Sequence, residues 1–381
     1  MTVWDCVVVG AGPGGASAAY TLAKAGRSVL LLDRATLPRY KPCGGGVSPQ
    51  IAQWFDFDFS PIVSQKVDRI RFTWKFEDPV EALIDTPEPM WMVDRAAFDH
   101  YLIQQAIHQG AELKTETPVT AIQFQKSEQC WAVTTPQGTF QAKYLIAADG
   151  GQGPMSRWLG FKPLKAHPTL SLDLPQAQTP ESAHLSHFEF GLLKGTCLWN
   201  FPKAAGRTLC AVSMVGGEPR QFAENVREYS RFFGLDPQQG QLQTGSLCLW
   251  ESNRPLHTQN ALLVGETAGL VDPFSGEGIR PSMLSGLRAA EAIDGALSGD
   301  AAALARYSQQ MQEEWGNDMV WAQRIAGLFY RVPGFGYQIG VKRPSARARM
   351  GKILCGEIRY SDVATRAIKL LSSKLIPGLG G

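Results

Sequence analysis

The chain has 381 residues, 44% of them hydrophobic and 19% charged, which is the make-up of a folded protein with room for about two domains and excludes a disordered one. A formal net charge of +2 gives no whole-molecule case for nucleic-acid binding. Seven cysteines, an odd number with no CxxC pair, argue against a disulfide framework or a zinc site and suit a reducing compartment.

Asp5–Gly10 is a short β-branched run closed by glycine and predicts a buried strand. Gly14–Gly26 is rich in Ala and Leu and predicts a helix, and Ser28–Asp33 predicts a second buried strand, so the chain opens with a βαβ unit. Arg39–Pro49 is a loop dense in Gly and Pro. Val67–Trp74 and Val80–Ile84 alternate as antiparallel strands do, and Arg95–Gln109 predicts an amphipathic helix with Asp94 as its N-cap. Short strands follow at Ala111–Lys114, Val119–Gln125, Trp131–Thr135 and Thr139–Lys143, then a buried strand at Tyr144–Ala148 ending in Asp149-Gly150.

Thr169–Val215 changes character to short alternating strands at Leu170–Leu174, His184–Phe190, Cys197–Phe201 and Thr208–Met214, a second and mostly antiparallel sheet, with a helix at Phe222–Phe233 over it. Ala261–Gly265 returns to buried-strand pattern, and Pro281–Leu297 predicts a long helix behind it. The remainder reads as helical, interrupted near Pro333–Gly340. The expected fold is therefore α/β: a discontinuous Rossmann-like domain (1–74, 92–165 and 255–300), an antiparallel β domain (75–91 and 166–254) and a helical C-terminal region (301–381). From Arg331 onward ten Lys or Arg face only Glu357 and Asp362. Such a basic region can contact anionic lipid or an acidic partner, and equally can be a solvated helical surface. The opening residues show no signal-peptide pattern, and the apolar runs fall far short of the ~20 residues a spanning helix needs. A cytoplasmic protein, at most peripheral to a membrane, is expected.

Gly10-Ala11-Gly12-Pro13-Gly14-Gly15 fits GxGxxG between strand and helix. Gly10 allows the tight turn, Gly12 lets a pyrophosphate approach the backbone, and Gly15 lets the helix pack on the strand. The helix N-terminus offers unpaired N–H groups to phosphate. Asp33, 18 residues beyond Gly15, stands where a ribose-binding acid belongs. Ala261–Gly269 is a second acid-tipped strand, ending in Gly265-Glu266, and Pro273–Ile279 leads from it into a helix. A second strand returning to the same crevice suits a long dinucleotide such as FAD better than NAD.

Together, Gly10–Arg34, Lys41-Pro42-Cys43-Gly44-Gly45-Gly46, Val93-Asp94-Arg95 with Phe98-Asp99, and Leu263–Ile279 resemble the FAD-dependent geranylgeranyl reductase family, within the larger class that holds the aromatic hydroxylases. The resemblance implies that Asp33 and Arg34 hold the adenosine end, that Arg95 reaches the pyrophosphate, and that the backbone at Val119 meets the adenine. It also implies that Glu266 binds the ribityl or phosphate part, that Gly278 and Ile279 donate N–H groups to the flavin, and that Cys43 and Gly45 lie against the isoalloxazine. Three positions depart from the family. In its P-x-x-Y-x-W-x-F-P signature Trp199, Phe201 and Pro202 match as candidate substrate residues, but Lys194 and Cys197 replace Pro and Tyr. Glu266 stands for the commoner Asp, and Gly153 for a frequent Ser.

A thiol, with a reference pKa of about 8.5, can deliver a proton. Cys43 is accordingly a candidate to place the proton that alkene reduction needs alongside hydride, or to position the flavin. Trp74, Trp91, Phe188, Phe190, Trp199, Phe201 and Trp250 are candidates for an apolar substrate tunnel or for ordinary sheet core. The six histidines show no metal spacing. The leading expectation is reduction of carbon–carbon double bonds in an isoprenoid lipid by reduced FAD. The alternatives are a flavin-dependent aromatic hydroxylase and a non-catalytic flavin-binding protein at a membrane surface. With no second glycine-rich nucleotide motif, NADPH or ferredoxin would be a transient electron donor.

Overall fold

The computed structural model describes residues 2–175, 183–193, 195–204, 206–215 and 219–366. The opening βαβ unit forms as expected: strand Val3–Val9, helix Pro13–Lys24 and strand Val29–Leu32. Val3–Val9 lies at the centre of a parallel array, between Val29–Leu32 and Gly138–Ala147, which Glu112–Lys114 and Ala261–Leu263 extend on either side. Because both faces are covered, its strands are uninterrupted apolar runs such as Val29–Leu32, in which every residue is buried. Cys130–Thr135 and Ala121–Gln125 add an antiparallel extension. Helix Pro13–Lys24 packs on helix Ile279–Leu297, where Gly286 lets the two backbones meet: a Cβ there would lie 2.2 Å from the Gly14 carbonyl oxygen.

A seven-stranded sheet stands over the C-terminal ends of this array, in the order Gln241–Leu247, His167–Pro175, Gly206–Ser213, Thr196–Lys203, Leu185–Phe190, Arg69–Trp74 and Glu77–Leu83. Its alternation gives two buried faces. Leu170, Leu172, Leu174, Leu198, Leu209 and Ala211 pack under helix Pro219–Phe232 against Phe222, Val226 and Tyr229. The opposite face belongs to the main core, which runs unbroken from Val7 and Leu31 to Phe188, Trp199 and Phe201.

Three details differ from the sequence expectation. Arg69–Trp74, assigned to the first domain's 1–74 segment, pairs in parallel with Leu185–Phe190 and so belongs to the seven-stranded sheet. Met90–Met92, split by the boundary at 91, instead joins Gly46–Val47 and Gln65–Val67 in a small third sheet. Gln241–Leu247 forms an unanticipated strand; its alternation is weak because polar Gln, Thr and Ser dominate it. The C-terminal region is helical through Ala303–Met311, Asn317–Arg331 and Pro344–Leu354. The last part of the basic region, 367–381, lies outside the described residues.

Candidate active site

One cleft of about 780 Å³ lies between the parallel array and the seven-stranded sheet. It gathers most of the residues singled out above: Gly10, Gly12, Gly14, Asp33, Arg34, Cys43, Arg95, Val119, Trp199, Glu266, Gly278 and Ile279 all line it.

At the floor, the chain leaves Val9 through Gly10 at φ +105°, a conformation that glycine alone adopts without strain. A Cβ on Gly10 would meet the Ala148 carbonyl oxygen at 2.3 Å, and one on Gly15 would meet the Gly10 oxygen at 1.9 Å. Gly15 is thus a helix–strand packing residue behind the wall. Gly12 is different: a Cβ there would have only an Arg39 guanidinium nitrogen nearby, at 3.7 Å, so its backbone is open to the cleft. Gly12 is also the N-cap of Pro13–Lys24 and supplies no side-chain cap, which leaves the helix's first N–H groups for a ligand. Asp33 is buried at the next strand tip. Its carboxylate accepts N–H bonds from Ala11 (2.8 Å) and Ala35 (2.9 Å), and a carboxylate with two such bonds has further lone pairs to accept with.

Two arginines stand beside this loop. Arg95 is buried and bound bidentately to Asp99, both contacts 2.8 Å. Burial opposes its charge, but Asp99 and the neighbouring Cys43 outweigh that and hold the guanidinium above its ordinary value. Arg95 is therefore largely committed within the protein. Arg39, in the Gly- and Pro-rich loop Arg39–Pro49, is the freer cation: it spans Asp33 (3.7 Å) and Asp99 (3.4 Å) and overlooks Gly12. Its signal was only a cation shortly after a strand-tip acid.

At the middle of the cleft, Glu266 sits on the turn Gly265–Ala268, accepts the Cys248 N–H at 3.0 Å and faces Lys41 at 3.6 Å. Asp149 accepts the Met155 N–H and the Thr267 hydroxyl, and burial raises its pKa. Its carboxylate fills the space a side chain at 153 would need, with an oxygen 1.9 Å from a Cβ built there, which explains Gly153. At the far end, Gly278 is the N-cap of the nineteen-residue helix Ile279–Leu297, again without a side-chain cap. The loop before it is anchored by Asp272, whose carboxylate accepts from Phe274 N, the Ser275 hydroxyl and the Tyr360 hydroxyl, each at 2.7 Å. Behind it Arg280 bonds Glu277 at 2.9 Å, and burial pushes the Glu277 carboxyl up. Asp272 and Tyr360 were not singled out in the sequence, since they meet only in the fold.

The Lys41–Gly46 loop closes the cleft. Cys43 is half-buried on its wall, and its sulfur accepts the Gly45 N–H at 3.3 Å. Gly45 itself, expected against the ligand, stands behind the wall at φ +81°, where a Cβ would meet the Val93 oxygen at 2.3 Å; Gly44 lines the cleft instead. Of the three substrate candidates only Trp199 reaches the cleft. Phe201 stacks behind it at 5.9 Å and packs on Gly44 and Gly46, and Pro202 does not line the cavity. Phe188 and Phe190 are core, packed with Phe72, and Trp91 lies in the third sheet beside Phe59. Cys197 is buried against Tyr330 of helix Asn317–Arg331, and Lys194 lies outside the described residues.

An open glycine loop under one uncapped helix, a strand-tip acid and a second uncapped helix at the far end fit an extended dinucleotide along the floor. A model of the FAD binding domain matches residues 4–222. The chain belongs to the FAD binding domain family. FAD is its cofactor, and it is an FAD-dependent oxidoreductase. This flavoprotein is 27% identical to digeranylgeranylglycerophospholipid reductase of Methanocella arvoryzae over 350 residues, covering 86% of this chain and 88% of that one. It is 28% identical over 355 residues to menaquinone reductase of Mycobacterium tuberculosis, covering 87% and 85%. In fold it resembles the crystal structure of a geranylgeranyl bacteriochlorophyll reductase-like protein from Thermoplasma acidophilum, with TM-score 0.76 at 21% identity over 93% and 92% of the two chains. Among the described residues no helix is long and apolar enough to cross a membrane.

Proposed function

We propose that this flavoprotein reduces carbon–carbon double bonds of an isoprenoid lipid. The observation that carries the reading is the chemistry of the cleft wall opposite the glycine loop. The seven-stranded sheet contributes Thr169, Leu170, Ser171, Trp199, Cys210, Val212, Thr244, Gly245, Ser246 and Leu247 to it, with no Asp, Glu, Lys, Arg or His among them. A wall without formal charge suits a neutral apolar chain and offers no counter-ion for an aromatic acid. The names of the two reductase relatives support the same substrate class.

On this reading Gly12 and the N-terminus of Pro13–Lys24, with Arg39, hold the pyrophosphate. Asp33 and Arg34 hold the adenosine end, with the Val119 backbone by the adenine. Glu266 takes the ribityl region, and the Gly278 and Ile279 N–H groups meet the flavin edge. FAD held there in its reduced form would supply the hydride that alkene reduction needs at one carbon. Cys43 is placed to deliver a proton to the other, or to orient that region, and Trp199 bounds the path of the lipid chain. NADPH or a small carrier such as ferredoxin is the electron donor this scheme calls for.

The test is to incubate the FAD-loaded protein with a chemical reductant and a digeranylgeranyl lipid or menaquinone, with and without oxygen, and to weigh the products. Gain of H₂ per double bond, independent of oxygen, is expected. Product oxygen derived from O₂ would replace this reading with a monooxygenase. A Cys43→Ser variant that keeps full turnover would remove Cys43 from proton delivery.

A further inference from the structure

Helix Asn317–Arg331 and the turns that follow it, Pro333–Gly336 and Tyr337–Val341, have two dissimilar faces. The inner face is buried: Phe329 packs on Phe190 (5.0 Å) and Phe274 (5.6 Å), the Tyr330 hydroxyl bonds the Phe274 carbonyl at 2.8 Å, and Tyr337 lies against Trp74. It backs the Asp272–Gly278 loop that forms one end of the cleft. The outer face leaves Leu328 60%, Val332 53%, Phe335 52% and Ile339 38% exposed. The helix breaks at Val332, yet all four stay exposed while Phe329, Tyr330, Gly336 and Tyr337 between them are buried, so this segment turns one apolar side to water. A single exposed Leu needs no explanation, but four large apolar side chains within twelve residues form a ridge that is costly in water.

The charge around this ridge says what covers it. From Met319 to Gly356 every charged residue is a cation: Arg324, Arg331, Lys342, Arg343, Arg347, Arg349 and Lys352. Lys342 and Lys352 face Asp78 and Asp85 from a neighbouring segment, while Arg324, Arg331 and Arg343 are exposed. Lys75, also exposed, lies over Trp74, which in turn touches the Pro333–Gly336 turn. Apolar teeth ringed by cations complement an anionic bilayer, whose headgroups attract Lys and Arg and whose acyl chains accept Leu and Phe. We propose that the Leu328–Ile339 ridge seats this protein on an anionic membrane surface, with the opposite side of the same segment bracing the cleft.

Binding is read without turnover, so its failure is distinct from failure of the reductase reading. The FAD-loaded full chain is sedimented with vesicles of phosphatidylcholine alone or mixed with phosphatidylglycerol. Sedimentation with the anionic vesicles, weakened by salt, is expected. A Leu328→Ser/Phe335→Ser variant should bind them about tenfold more weakly or worse, because two apolar side chains no longer enter the acyl region; an unchanged flavin spectrum and melting temperature would show it folded. Arg331→Gln/Arg343→Gln should reduce the salt dependence. A full chain that stays in solution with both vesicles, or a ridge variant that binds like the parent, would overturn the proposal. So would a dimer seen by light scattering that the ridge variant dissociates, which would assign the ridge to a second copy.

Discussion

The strand–loop–helix at Val3–Lys24 and the wall built from His167–Leu247 face each other across one cleft, yet their residues are constrained differently. In the first, backbone meets backbone. A Cβ at Gly10 or Gly15 would sit within 2.3 Å of a carbonyl oxygen, so no neighbouring side chain can yield to relieve the clash. In the second, side chains alternate between two cores, and what the cleft sees is set by apolar character and size more than by any one group. Cofactor sites of the first kind tolerate little change. A wall of the second kind can vary in its side chains while the floor of the cleft keeps its pattern.

The largest effect expected from this contrast is at Gly15. Gly15→Ala should cost about 3 kcal/mol or more by forcing the helix off the strand, and should lose FAD, as measured by urea unfolding and flavin absorbance. Gly245→Ala, whose Cβ would meet only the Thr169 hydroxyl at 3.0 Å on the opposite wall, should cost under about 1 kcal/mol. Equal losses would break the comparison. Next comes Arg95→Ala, which strips the buried Asp99 of its bidentate partner and should destabilise by about 3 kcal/mol. Arg39→Ala should instead leave stability nearly intact and weaken FAD binding about tenfold, by titration of the apoprotein.

A third test concerns the face of the sheet turned away from the cleft. Burial pushes Glu189 up to about 7, although its carboxylate accepts from the Thr73 hydroxyl and the Lys75 and Phe76 N–H groups. The folded state therefore holds this proton more tightly than the unfolded chain, at an ordinary value of 4.5. The charged group penalises folding increasingly as pH rises from 4.5 to about 7. His187, lowered to about 3 by burial and by Arg207 and Arg71, works the other way, penalising folding as pH falls below 6.5. The parent's own profile mixes the two, so the difference from Glu189→Gln is the clean readout. The variant's relative stability should rise by about 3 kcal/mol across Glu189's window. A pH-independent difference would contradict the assignment. Smallest is Trp199→Ala, which should raise the KM for lipid about tenfold and leave FAD affinity within about twofold. Loss of FAD instead would place Trp199 in the cofactor site.

The same contrast governs what the sequence makes legible. The floor can be read locally: glycine spacing, the acid at Asp33 and the Gly265-Glu266 strand tip each lie within a short window, and their positions in the cleft follow from the βαβ unit. The wall depends on long-range pairing. Nothing local says that Arg69–Trp74 will align with Leu185–Phe190, or that the polar run Gln241–Leu247 will be a strand. Trp199 and Phe201 share a sheet face by alternation, but only the path of the Lys41–Gly46 loop decides that Phe201 is covered. Arg39 lies in a segment whose course no periodicity fixes, and the Asp272–Tyr360 bond joins residues 88 positions apart.

Both halves meet in one measurement: anaerobic mixing of the reduced, FAD-loaded protein with a digeranylgeranyl lipid while flavin absorbance and lipid mass are followed. The account predicts that the oxidised flavin spectrum returns without oxygen, in step with H₂ gained by the lipid. A flavin that stays reduced until oxygen is admitted, with the lipid unchanged, would contradict it.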